Sequence, residues 1–111
     1  YNFKERRPIG DTPFDHGFTG LEFDGDGWAT TELHDPKTGV TALYRQDKPF
    51  GHQQIFSGEA LPDEGRHRRV LAVEPMSASA DALNRGEEWG LLWLQPGQEW
   101  QGNLELMVKR R

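Results

Sequence analysis

Residues 28–44 read WATTELHDPKTGVTALY. The centre, Asp35-Pro36-Lys37-Thr38-Gly39, is turn chemistry: proline presets φ, aspartate bonds its own backbone and glycine accepts the reversal. Residues 28–33 before it are rich in strand-forming types. Residues 40–44 after it alternate apolar with polar or small side chains, as a half-buried strand does. Immediately upstream, Asp24-Gly25-Asp26-Gly27 contains two Asp-Gly pairs that favour positive φ, and it places a further strand at residues 21–23 in a hairpin with residues 28–33.

The same pattern extends outward. Residues 53–56 form a short strand closed by Ser57-Gly58, and residues 70–73 and 90–94 are apolar runs of strand length. After the Gln95-Pro96-Gly97 turn, residues 99–108 alternate, with Trp100, Leu104, Leu106 and Val108 on one face and Gln101, Glu105 and Met107 on the other. Residues 7–13, with two prolines and a glycine, are a loop, and Phe14-Asp15-His16-Gly17-Phe18 is a polar-aromatic turn. Residues 78–84 alone have helical composition, enough for one turn. Thirteen glycines and seven prolines in 111 residues agree with many reversals. The expectation is an all-β chain of about seven short strands in an antiparallel β-sandwich.

Composition narrows the function. A net charge of -5 disfavours nucleic acid, whose backbone is bound by lysine and arginine. The basic clusters at residues 4–7, 66–69 and 109–111 read as solvated edges and chain ends. The chain has no cysteine, hence no disulfide framework and no thiolate chemistry, and cytoplasm is the default location. No apolar run approaches the roughly 20 residues of a membrane span. The start, Tyr1-Asn2-Phe3, lacks an initiator methionine and is at once strand-like, as in a fragment of a longer chain.

Glu74 is the most informative position. In Val70-Leu71-Ala72-Val73-Glu74-Pro75 an apolar strand ends on a carboxylate, which burial would push toward the range of a general base; the alternative is a strand end emerging into solvent, with Pro75 stopping the sheet. Asp81 and Asn84 are spaced to point the same way on a helical turn, where capping is the simpler role. Asp15-His16 could bind a polar ligand or set up acid-base work, or form a loop hydrogen bond. His34, His52 and His67 show no metal-ligand spacing. Trp28, Trp93 and Trp100 fit core positions, with Trp89 undecided.

Several stretches together resemble the C-terminal signature of the aldose 1-epimerase (galactose mutarotase) family. They are Leu71-Ala72-Val73-Glu74-Pro75-Met76-Ser77, Asp81-Ala82-Leu83-Asn84 and the segment from Gly90 through Gln95-Pro96-Gly97 to Trp100. Pro8-Ile9-Gly10, Phe14-Asp15-His16-Gly17-Phe18 and Gln54-Ile55-Phe56-Ser57-Gly58 match upstream motifs in the same order. The resemblance implies that residues 1–111 are the C-terminal part of a galactose mutarotase-like supersandwich. Such an enzyme interconverts the α and β anomers of a hexose without cofactor or metal. Glu74 would be the general base, Asp15 and Gln54 would bind substrate, and the partner would be the N-terminal portion of the same protein. The family's catalytic histidines have no counterpart among the motifs here, and Ser77-Ala78-Ser79-Ala80 departs from the usual threonine and prolines. Two alternatives stand beside this reading. One is a non-catalytic carbohydrate-binding module; the other is a hexose-6-phosphate epimerase of the same superfamily, which needs a cluster of arginines at the cleft to which Arg6, Arg7 and Arg45 could contribute.

Overall fold

The computed structural model describes residues 3–110, which form an all-β chain with two antiparallel sheets. The strands are β1 (Asp15–Phe18), β2 (Trp28–Asp35), β3 (Val40–Asp47), β4 (His52–Phe56), β5 (Ala72–Met76) and β6 (Leu104–Arg110). The order is β1-β4-β5 in one three-stranded sheet and β2-β3-β6 in the other. One short helix, α1 (Ala82–Arg85), follows β5.

The hairpin at residues 28–44 forms as its sequence dictates. Trp28 pairs with Asp47 and Asp35 with Val40. Asp35 holds the turn through both carboxylate oxygens, accepting from the Lys37 amide at 2.9 Å and from the Thr38 hydroxyl at 2.7 Å. Those bonds, the Thr38 hydroxyl foremost, hold the Asp35 carboxyl below its ordinary pKa. The upstream Asp-Gly turn closes on itself instead: Asp24 Oδ1 accepts from the amides of Asp26 and Trp28 at 2.9 and 3.0 Å. Residues 21–23 stay outside the strands, so the expected first hairpin arm is absent.

Other expectations change. Asp15–Phe18 is a strand, not a turn, because β4 offers it a full ladder from Asp15↔Phe56 to Phe18↔Gln53. β5 does not end at Glu74: it starts two residues later than the apolar run and continues through Glu74 and Pro75 to Met76. A proline fits there because β5 is an edge strand, with one side free of ladder bonds. Residues 90–94 are not a strand, and Trp93 is 71% exposed rather than core. Trp100 lies in the loop before β6 and packs edge-on against Phe50, with ring centroids 5.1 Å apart. A side chain at Gly102 would collide with both rings, so the chain turns into β6 at a residue without Cβ.

The two sheets meet through polar side chains as well as apolar ones. Gln53 of β4 donates to Gln46 Oε1 of β3 at 2.9 Å and to Thr31 Oγ1 of β2 at 3.0 Å, and Gln46 donates to the carbonyls of Phe50 and His52. Gln46 also secures the turn that carries the chain from one sheet to the other. Around this network Phe14, Ala29 and Ile55 are buried, and Leu43 is buried on the opposite face of β3, the face of Arg45. Phe14, 1% exposed, is fixed by its amide donating to Ser57 Oγ at 2.7 Å and its carbonyl accepting from the Ser57 amide at 2.8 Å. The radius of gyration is 15.8 Å, above the about 13 Å of a close-packed chain of this length. The sandwich is therefore open.

Candidate functional site

Alternation along a strand decides which residues share a face. Since Gln53 points into the sandwich, Gln54 points out, and the register carries the rest. Gln54 lies opposite Gly17 on β1 and opposite Glu74 on β5. Asp15 is two residues from Gly17 and shares its face. Asp15, Gln54 and Glu74, drawn from three separate motifs, thus form one strip across three adjacent strands on the outer surface of the first sheet. Gln54 Nε2 donates to Asp15 Oδ1 at 2.9 Å. Directly opposed residues have Cβ atoms about 5 Å apart, which places the Gln54 and Glu74 side chains side by side.

The Gln54–Asp15 bond orients the strip. With its N–H engaged by Asp15, the Gln54 amide presents Oε1, Asp15 presents its second oxygen and Glu74 presents its carboxylate. Glu74 is exposed, and no described residue provides it with a cation or hydrogen-bond donor. The desolvated strand end expected from the sequence is therefore corrected: Glu74 sits mid-strand on an outward face, in water. The strip is a row of acceptors with two negative charges, suited to a ligand that donates several O–H groups.

Two hollows flank it. One, of about 340 Å³, is lined by Asp15, Phe56, Glu59 and Pro13. The other, of about 480 Å³, lies past the end of β5 and is lined by Ser77, Asp81, Asn84 and Leu91. Glu74 lines neither. At the second hollow Asp81 does not cap α1 with its side chain; it sits at φ +66° and accepts from Asn84 Nδ2 at 2.5 Å and Arg85 Nε at 3.3 Å. Asp81 and Asn84 do point the same way, but toward each other.

The Asp15 and His16 side chains do not act as an acid-base pair; their contact is the local hydrogen bond, in which the Asp15 amide donates to His16 Nδ1 at 3.1 Å. Neighbours in a strand face opposite ways, and His16 turns inward, edge-on to Phe14 at 6.5 Å. Nor do the arginines gather at the strip. Arg45 lies on the outer face of the second sheet, between Glu105 at 2.6 Å and Asp24 at 3.7 Å, over the Trp28 ring. Arg6 pairs with Glu32 on that same face, and Arg7 lies over Phe3. Arg68, from a cluster read as solvated, instead holds the N-terminal loop, donating to the carbonyls of Gly10 and Thr12 and pairing with Glu59. Among the described residues no three histidine, aspartate or glutamate side chains gather where they could hold a metal ion, and no helix is long and apolar enough to cross a membrane.

Sequence reasoning missed His52. Its spacing offers no metal site, yet it shares the outward face of β4 with Gln54, two residues away, and lies opposite Met76. Its Nδ1 is 2.8 Å from Ser79 Oγ. The two-residue spacing from Gln54 was the available signal.

Fold and strip together define an antiparallel, sandwich-like β chain with an acceptor-lined outer face. The chain is similar to the uncharacterized protein YihR of Escherichia coli (strain K12), 34% identical over 97 residues that cover 87% of this chain and 27% of that protein. It therefore spans about a quarter of that relative's length. No protein-family model matches the chain, and no solved structure does.

Proposed function

We propose that this chain is the part of an aldose 1-epimerase-like protein that presents the general base to a neutral hexose. The observation that carries the reading is the convergence of Asp15, Gln54 and Glu74. Three motifs far apart in sequence, each resembling a different element of that family, deliver their polar residues to one face of three adjacent strands. A row of acceptors suits a polyhydroxylated ligand, and its charge disfavours a phosphorylated one. Among the described residues Arg6 and Arg45 lie on the far face, which favours a neutral hexose over a hexose 6-phosphate.

In this reading Glu74 accepts the proton of the anomeric hydroxyl while Asp15 and the Gln54 carbonyl fix neighbouring hydroxyls. As the anomeric proton leaves, the ring C–O bond breaks and the ring oxygen gains a proton from a donor in the N-terminal portion of the protein. Rotation of the aldehyde and reclosure give the other anomer. The same carboxylate returns the proton, so the relay runs in both directions. The N-terminal portion would also pack on the apolar inner surface of the second sheet, as the missing part of a supersandwich.

Polarimetry of freshly dissolved α-glucose and α-galactose tests this with the intact protein. Glu74→Gln should slow mutarotation by about 10²–10⁴-fold, the usual contribution of one general base. An unchanged rate overturns the role of Glu74. Hexose binding without any mutarotation by the intact protein would establish the carbohydrate-binding module instead.

A further inference from the structure

We infer that His52 is a positioning residue of the Glu74 face, clamping residues 77–90 against β4 through Ser79 and so forming one wall of the sugar site; this rests on the function proposed above. Two segments close on its ring. Ser79 Oγ, from the loop leaving β5, lies 2.8 Å from Nδ1. Gly90 packs against the other side: a Cβ there would fall 2.9 Å from His52 Nε2, 3.0 Å from Ala78 Cα and 3.2 Å from the Ser77 carbonyl oxygen. Gly90 also has φ +89°, so only glycine meets both the conformation and the space. The loop is closed behind the ring by the Ser79 amide donating to the Trp89 carbonyl at 2.9 Å.

The register makes this contact relevant to the strip. His52↔Met76 is two residues along from Gln54↔Glu74 on the same face, a diagonal distance within reach of long side chains. Fixing Ser79 to His52 therefore fixes the path of the chain just beyond Glu74. It also fixes the Ser77 and Gly90 edges of the 480 Å³ hollow. The loop's own composition, Ser-Ala-Ser-Ala followed by a four-residue helix, offers little to hold it in place otherwise.

Two variants test the clamp in the intact protein, with hydrogen exchange and mutarotation as paired readouts. His52→Ala and Ser79→Ala should each speed exchange of the Ser79 amide by about tenfold, the loss of one net hydrogen bond, while the β4–β5 ladder amides keep their protection. Both should raise the hexose KM by about tenfold and leave kcat within about threefold, the mark of lost ground-state and transition-state binding alike. His52→Asn, whose amide can reach the Ser79 hydroxyl, should restore both. Unchanged Ser79 exchange overturns the clamp; faster exchange with unchanged KM overturns its role in the sugar site. If Glu74→Gln leaves mutarotation intact, the proposed function fails separately, and the exchange data still judge the clamp.

Discussion

The outward face of the first sheet and the inward face of the second pose opposite problems. On the first sheet, Asp15, Gln54 and Glu74 are polar groups in a row, open to water and partly bonded to one another. On the second, Leu33, Leu104, Leu106 and Val108 share the face that turns toward the sandwich, with Ala42 and Tyr44 between them. Yet the first sheet covers only the end near Ala29, Thr31 and Gln46. Leu106 is 72% and Val108 68% exposed. Hydrophobic alternation built a strand that pairs correctly with β3, and among the described residues little packs against its apolar side chains. The polar face is satisfied by water; the apolar face is not.

Stability measurements sharpen that contrast. The largest effect should come from Phe14→Ala, about 3–5 kcal/mol in urea unfolding, because Phe14 is enclosed and locked through Ser57. Leu43→Ala, on the well-covered central strand, should cost about 2–5 kcal/mol, whereas Leu106→Ala in the same sheet should cost under about 1 kcal/mol because little of its surface is buried. Equal losses at Leu43 and Leu106 would break the comparison.

The adjacent glutamines give a finer test. Gln53→Leu strands the Gln46 carbonyl and the Thr31 hydroxyl inside the sandwich and should cost about 1–3 kcal/mol. Gln54→Leu should fall within about 0.5 kcal/mol, since that side chain lies at the surface, while weakening hexose binding.

The smallest effects concern charge. Glu59 has its carboxyl held below the ordinary 4.5, first by the Ser57 hydroxyl and then by Arg68. A depressed folded pKa stabilises the native state above the unfolded value, and that contribution is lost as pH falls below 4.5 through the folded one. Acid unfolding curves should show it, and Glu59→Gln should flatten the dependence in that window. Tyr44 is shifted the other way: burial raises its hydroxyl above 10.0, and the buried Oη has no hydrogen-bond partner among the described residues. Tyr44→Phe should be neutral or stabilising by about 1 kcal/mol, and it should remove a loss of stability above pH 10.0.

Local chemistry by itself determined the all-β class, the hairpin around Asp35 and the alternation of β6, whereas Asp15, Gln54 and Glu74 came together as a set only through the family resemblance of their motifs. The local features rest on φ preferences, side-chain bonds to nearby backbone and a two-residue period, all expressed within a few residues of chain. Tertiary structure decided what each pattern faced. Gln53 and Gln54 are the same side chain one residue apart, and only the position of the second sheet makes one a buried bridge and the other a surface amide. Residues 90–94 have a strand's composition, but no described strand pairs with them, and an apolar run becomes a strand only when a ladder partner lies alongside. An apolar run says nothing about which edge of a sheet it will occupy, so the sequence leaves Glu74 open between burial and solvent, and the edge position of β5 puts it in water. His52 carried no motif at all; its place beside Ser79 and Gly90 arises from a register and a close approach that no local spacing encodes.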